Sequence, residues 1–169
     1  MKIANKILHF LLLIAALIIQ VTFFEQLKLF NISFDLILIS IVAITLIDGA
    51  FFGIVFGFIA GLILDLIAGD IVGISALVYS LDAYIVWKLI ESGFKYRFTS
   101  QLFLIFVITE ANLIAESAAR YLFNFQISFR MLGMELLLAP VFNIMLLVIF
   151  YPVIKISLNR RMESFESKY

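Results

Sequence analysis

Long apolar runs separated by short polar breaks dominate the chain. Six of these runs approach the roughly 20 residues that a membrane-spanning helix needs. They do not alternate apolar and polar positions as the strands of an outer-membrane barrel do. The pattern therefore predicts an all-α integral membrane protein, a single domain over residues 1–169 with a bundle of about six transmembrane helices, at 7–24, 32–47, 50–68, 71–90, 102–123 and 133–154.

The central spans are unusually close together in the chain. The second span is short and meets the third at Asp48-Gly49, while the third and fourth are separated by Gly69-Asp70. Little chain is therefore available to connect complete membrane crossings. One member of this central group is therefore expected to be tilted, broken or only partly spanning.

Composition supports a membrane environment. Of the 169 residues, 64% are hydrophobic and 14% are charged, and the mean hydropathy is +1.17. Soluble domains are closer to half apolar and a quarter charged. A protein of this size also leaves too much surface exposed to hide so much apolar area from water. Lipid is therefore the expected solvent.

Basic residues predict the orientation. The first span has a basic lead, but Val21-Thr22-Phe23-Phe24 offers no small-residue cleavage site, so an uncleaved anchor is expected. With six spans and a cytoplasmic N-terminus, inner segments hold nine Lys and Arg residues and outer segments hold three. This bias marks the cytoplasmic side and predicts a multi-pass cytoplasmic (inner) membrane protein with both termini inside. The nine are Lys2, Lys6, Lys88, Lys95, Arg97, Lys155, Arg160, Arg161 and Lys168.

Residue types suited to catalysis are scarce. Cysteine is absent and His9 is the single histidine, so no thiolate nucleophile, metal site or histidine-based triad is expected. An intramembrane aspartyl protease needs two carboxylates that share a proton. Asp65 and Asp82 could be nominated, but the usual flanking motifs are missing. The chain also lacks the clustered basic face of a nucleic-acid-binding protein. We therefore predict a protein that is not an enzyme and has no cofactor.

Glycines recur at four-residue spacing through the third span. Six of the eight glycines occupy positions 49, 53, 57, 61, 69 and 73, and Asp65 fills the gap. Residues four apart are neighbours on a helix, so this glycine ladder predicts a groove for backbone-to-backbone helix packing. The groove drifts about 40° per step, which suits a crossing helix. Either the protein's own bundle or a partner helix fills it; its predicted members are Gly53, Gly57, Gly61, Asp65, Gly69 and Gly73.

Polar residues inside the spans are expected to have partners. An acidic side chain near mid-bilayer costs about 2.5–3.5 kcal/mol on insertion scales, and less near the interface. Asp65 lies about one turn inside the outer end of the third span. It could hold a helix–helix hydrogen bond, cap the backbone of the Gly69–Gly73 turn or touch a ligand. Pro140 and Asn143 are expected to mark a kinked, hydrogen-bonded sixth span.

The fifth span carries a second polar stripe. Its members fall within about 80° of one another on a helix, and Glu116 and Arg120 form an i, i+4 pair in the favourable order. Either this pair neutralises itself near the outer surface, or the stripe lines a small cavity facing the third span. Glu110 and Asp82 have no local partner; with Asp65 and Glu116 they would permit a proton-coupled pore in an oligomer. The possible polar cavity comprises Thr109, Asn112, Glu116 and Arg120.

Part of this pattern resembles a known family. Residues 57–69 read GFIAGLILDLIAG and are followed by Gly73 and by Ala83-Tyr84. The order G-F-x-x-G-x-x-x-D-x-x-x-G-x-x-x-G is similar to the signature of the rod shape-determining MreD family. The length, six spans, short second span and Ser128-Phe129-Arg130 before the last span also fit. Asp82 departs from the pattern, because that position is usually apolar, and no family role is assigned to it.

The resemblance implies a non-catalytic scaffold subunit of the bacterial cell-elongation machinery, supporting cell shape and peptidoglycan synthesis. It implies an MreC-like bitopic membrane protein as partner and, indirectly, MreB filaments, RodA and a penicillin-binding transpeptidase. The family's bundle is similar to the substrate-binding subunits of energy-coupling-factor transporters. A small-molecule-binding subunit of a membrane transporter is therefore the alternative. Such subunits often carry small residues four apart in the first helix; Ala15 and Ala16 are adjacent here, which favours the scaffold.

Overall fold

The computed structural model describes residues 11, 14–24, 34–68, 71–93, 97–125 and 128–166. Over these residues the regular elements are all helical. Helical residues 14–24 form α1, whose end is the π-helical segment Gln20–Phe24. The bounds of α3 coincide with those of the third predicted span, and each later span overlaps one helix. The helices that follow α1 are α2 (Leu36–Asp48), α3 (Ala50–Ala68), α4 (Ile74–Glu91), α5 (Phe98–Leu122) and α6 (Phe129–Glu166).

Three of the described helices are long and apolar enough to cross a membrane. They are α3, α5 and the first part of α6, up to Pro152. Helix α2 is apolar but has 13 residues; at 1.5 Å per residue it is about 20 Å long, against a hydrocarbon core of about 30 Å. A short apolar helix therefore lies where the sequence predicts a short second span. These helices indicate a membrane-embedded helical bundle.

Glycines with positive φ make the two tight connections around α3 possible. Gly49, with a φ of 95°, stands alone between α2 and α3. Its N–H donates to the carbonyl oxygen of Thr45 at 3.1 Å and so closes the end of α2. Gly73, with a φ of 105°, precedes α4. Side chains with a Cβ rarely adopt this region, which accounts for glycine at both positions.

Helix α2 lies at the centre of the bundle. Ile37, Leu38 and Ile41 are at most 1% exposed, and α2 contacts α3, α4 and α6 and, less extensively, α5. Helix α3 packs most extensively against α4, and α5 lies between α4 and α6. Large apolar side chains such as Leu77 and Leu137 point outward, at 67% and 76% exposure. Outward apolar surface on this scale is suited to lipid.

Candidate functional site

The glycine ladder brings the backbones of α3 and α4 into direct contact. A Cβ at Gly57 would lie 2.8 Å from the carbonyl oxygen of Tyr79. A Cβ at Gly61 would lie 2.5 Å from both the Cα and the N of Ala76. These separations are below ordinary van der Waals contact, so neither position has room for a side chain. Gly57 and Gly61 therefore make the close packing of the α3–α4 hairpin possible.

The next glycine of the ladder faces a different helix. A Cβ at Gly53 would overlap the side chain of Thr45 in α2. The Thr45 hydroxyl is 2.8 Å from the carbonyl oxygen of Ile41, to which it donates. The groove thus winds from α2 to α4 as it ascends α3, as a four-residue step predicts. Along Gly53, Gly57 and Gly61 the chain's own helices fill it.

Asp65 binds the backbone at the start of α4. Its carboxylate accepts hydrogen bonds from the N–H groups of Gly73 at 2.8 Å, Ser75 at 3.2 Å and Ala76 at 3.4 Å. The first N–H groups of a helix have no partner within it, and a negative charge is favourable at this end. Asp65 is 5% exposed. Its position one turn before the end of α3 therefore joins the two helices through a cap.

A small cavity lies beside this cap. Its volume is about 20 Å³, enough for one water molecule and far below the roughly 300 Å³ of a typical small-molecule pocket. The Ser75 hydroxyl donates to Glu116 at 3.5 Å, and Glu116 and Arg120 are 3.9 Å apart. Of the predicted stripe, this cavity includes Glu116 and Arg120 and excludes Thr109 and Asn112. Its walls are Asp65, Ile71, Ile74, Ser75, Glu116, Arg120 and Phe125.

The other two members of the stripe bind neighbouring helices. Asn112 donates from Nδ2 to the Asp82 carboxylate of α4 at 2.7 Å. Thr109 accepts at its hydroxyl oxygen from Asn143 of α6 at 3.1 Å. The side chains of both pairs, Asn112 with Asp82 and Thr109 with Asn143, are at most 6% exposed. The stripe therefore splits, because one end reaches the small cavity while the other end holds α4, α5 and α6 together.

Polar side chains also accept hydrogen bonds from the backbone N–H groups at the start of α2. Asp35 caps this helix by accepting from the N–H of Leu38 at 2.8 Å. Gln20 accepts from the N–H of Leu36 at 2.9 Å, and Asn143 accepts from that of Asp35 at 2.9 Å. Because a short helix begins where water is scarce, its unpaired N–H groups need protein acceptors. These contacts come from α1, α6 and the residue before α2.

Tyr79 extends this cluster to α4. Its hydroxyl donates to the second oxygen of Asp35 at 3.0 Å, and the tyrosine side chain is 6% exposed. Asp35 therefore binds the start of its own helix with one oxygen and a neighbouring helix with the other. The polar cluster of Gln20, Asp35, Tyr79, Thr109 and Asn143 thus connects five helices.

Comparison with known proteins gives one match. Residues 1–160 match the family described as rod shape-determining protein MreD. The chain belongs to the MreD family. No curated protein and no solved structure shows a significant match.

Family membership assigns a role in rod-shape determination. MreD proteins are structural membrane proteins and not a known enzyme family, and they form part of a shape-determining complex. The match covers 160 of 169 residues and therefore includes α1 to α5 and most of α6. The resemblance seen in the ladder and Asp65 is confirmed at the level of the family.

In this MreD-family chain, the predicted site residues have separate structural positions. Gly53, Gly57, Gly61 and Asp65 lie in contacts between helices, whereas Gly73 supplies the turn before α4 and has open space around it. Gly69 lies outside the described residues. Asp82, which the sequence left without a partner, binds Asn112, 30 residues along the chain.

Sequence reasoning missed the residues around the start of α2. Asp35 directly precedes an apolar run, which is the usual signal of a helix N-cap. Tyr79 and Gln20 offered no comparable signal, because their partners are 44 and 16 residues away in the chain. Asn143 was expected to be hydrogen-bonded, and it donates to Thr109 and accepts from Asp35.

Proposed function

We propose that this chain is a non-catalytic scaffold of the bacterial cell-elongation machinery that binds an MreC-like single-span protein in the cytoplasmic membrane. Both termini lie in the cytoplasm, and the chain forms a bundle of about six transmembrane helices in which the short α2 spans only part of the bilayer. Through this partner the chain supports MreB filaments, RodA and a penicillin-binding transpeptidase, and hence peptidoglycan synthesis. The MreD-family match over residues 1–160 is the observation that carries the proposal.

The hydrogen bonds that the buried polar groups form support a scaffold function. Asp65 and Asp35 satisfy helix ends, Asp82 binds Asn112, and Asn143 binds Thr109. These groups are engaged with the protein itself and do not converge on a shared cleft. Buried hydrogen bonds between helices favour one arrangement of those helices. A fixed arrangement is what a subunit that positions other proteins requires.

The filled groove bears on where a partner docks. Gly53, Gly57 and Gly61 serve as a packing groove inside this chain, so a partner helix binds an outer face of the bundle. On the cytoplasmic side, α6 continues past Pro152 to Glu166, which extends it by about 21 Å. This extension offers a contact for the cytoplasmic components of the machinery.

The proposal is tested by recovering a defined complex from the membrane. The full chain is co-expressed with the MreC-like protein of the same bacterium, extracted in its native lipid and purified by a tag on the chain. A multi-span membrane protein with the same tag and a similar expression level is the control. Mass spectrometry then measures both proteins and any bound small molecules.

We expect the MreC-like protein in near-stoichiometric amount with the chain and absent from the control. RodA and the transpeptidase are expected at lower yield because they associate indirectly. Recovery of a transport ATPase module or a vitamin-like compound in place of the MreC-like protein would contradict the proposal. That outcome would instead favour the transporter subunit.

A further inference from the structure

Glu110 stands on the outward face of α5, at its centre. Helix α5 runs from Phe98 to Leu122, so Glu110 is its middle residue, about 18 Å from either end. At 100° per residue, the buried residues of α5 centre on a direction about 170° from Glu110. Those buried residues are Gln101, Leu104, Ile105, Ile108, Thr109 and Asn112.

Apolar side chains surround this carboxyl group on the helix surface. Phe106 and Ile114 lie one turn to either side, each about 40° from Glu110, and are 46% and 57% exposed. They lie on a helix that is long and apolar enough to cross the membrane. The outward face of Phe106, Glu110 and Ile114 is therefore a lipid-depth surface with a carboxyl group at its midpoint.

Glu110 has no hydrogen-bond or ion-pair partner among the described residues. The contrast with the other carboxyl groups of the bundle is clear, because Asp35, Asp65 and Asp82 all bind groups within the chain. Ionisable groups at membrane depth are costly and usually meet protein or water. The outward face of α5 thus presents a costly group whose partner the described chain does not supply.

The chemistry of the face defines its occupant. A carboxyl group surrounded by Phe and Ile fits a transmembrane helix with an amide or cationic donor near its own midpoint. A second copy does not meet this requirement, because the amide side chains in its described helices up to Pro152 are at most 6% exposed, and its described basic residues lie at helix ends or beyond Pro152. They are Lys88, Arg97, Arg120, Arg130, Lys155, Arg160 and Arg161.

We infer that the outward face of α5 is the docking surface for the single transmembrane helix of the MreC-like partner. Glu110 accepts a hydrogen bond from a donor side chain at mid-depth of that helix, or forms an ion pair with it. Phe106 and Ile114 pack against the same helix. This inference rests on the proposed function and specifies the surface by which it is carried out.

Cross-linking in the complete complex tests the location. The chain has no cysteine, so Phe106→Cys and Ile114→Cys each introduce a single attachment point for a photoreactive maleimide. Matched controls are Leu81→Cys on α4 and Met145→Cys on α6, whose side chains are 50% and 55% exposed. Each variant is co-expressed with the full-length tagged MreC-like protein, and adducts are identified by mass.

Substitution of Glu110 tests the chemistry. Glu110→Leu removes the carboxyl group at similar volume, and Glu110→Gln keeps a hydrogen-bond acceptor without the charge. We expect Glu110→Leu to lower recovery of the MreC-like protein at least tenfold and Glu110→Gln to lower it less. The isolated Glu110→Leu protein should unfold at the same or a higher temperature, since an unpaired polar group has been removed from an outward face.

The inference predicts adducts with the MreC-like protein at positions 106 and 114 that exceed those at 81 and 145 at least fivefold. Adducts mainly at the control positions, adducts to a second copy of the chain, or unchanged recovery with Glu110→Leu would each overturn it. If these results accompany normal recovery by the wild-type chain, the scaffold proposal stands and the surface is wrong. If the wild-type chain recovers no MreC-like protein, both fail.

Discussion

Adding one methyl group at Gly61 should separate the α3–α4 hairpin. In the Gly61→Ala variant the new Cβ would lie 2.5 Å from the Cα and N of Ala76. An ordinary contact is at least 3.4 Å, so the helices must move apart by about 3.4 − 2.5 = 0.9 Å at this point. The opposing atoms belong to the backbone, and no side-chain rotation can relieve the overlap. Such overpacking costs about 1–3 kcal/mol.

Gly133→Ala is the matched control. Gly133 lies in α6 and has nothing within 4 Å of the position that a Cβ would take. Both substitutions gain about 0.5–1 kcal/mol from the better helix propensity of alanine. The difference in unfolding free energy between the two variants therefore isolates the packing cost, which we expect to be about 1–3 kcal/mol.

The assay is reversible unfolding in lipid bicelles, with helix content confirmed for both folded variants. After correction for the propensity gain measured with Gly133→Ala, the Gly61→Ala variant should unfold at a lower denaturant concentration than the wild type. Gly53→Ala should show a smaller loss, because rotation of Thr45 can move its Oγ1 away and the nearest fixed atom, the Thr45 Cβ, lies at 2.9 Å, against 2.5 Å for the Ala76 backbone at Gly61. Equal stability of Gly61→Ala and Gly133→Ala would refute the close backbone packing of α3 on α4.

Further substitutions test three of the buried polar contacts, each measured by the same unfolding assay. Asp65→Ala should cost about 2–4 kcal/mol by removing the cap and leaving buried N–H groups unpaired, and Asp65→Asn should cost less because an acceptor oxygen remains; equal losses would refute the cap. Asn112→Leu should cost about 1–3 kcal/mol by leaving Asp82 unpaired, and adding Asp82→Leu should restore most of this loss; additive losses would contradict the pairing. Tyr79→Phe should cost about 1 kcal/mol through its lost bond to Asp35, and no change would show that the bond contributes nothing.

Local spacing made much of α3 predictable. The apolar run between Gly49 and Gly69 fixed the span, and four-residue glycine spacing indicated close helix packing on one face. Spacing could not say which helix would fill the groove. The answer depends on the loop geometry that folds α4 back along α3, and a partner's helix would need the same small residues.

The polar contacts show where sequence reasoning stops. Asp65 and Gly73 are eight residues apart, so a cap across the turn was among the expected alternatives. Asp35 and Asn143 are 108 residues apart, and no periodicity links them. Thr109 and Asn112 share a helical stripe with Glu116, yet each meets a different neighbour because α5 lies between α4 and α6. Such pairings follow from the order of helices in space, which the apolar runs do not encode.

The central claim is that this MreD-family chain holds a shape-determining complex together, and cell shape tests it most directly. The chain is expressed in a rod-shaped bacterium of its own kind from which the native copy has been depleted, with its membrane level confirmed by blotting. Depleted cells should become round, and the wild-type chain should restore rods of normal width. Cells that keep their rod shape after complete depletion would contradict the account.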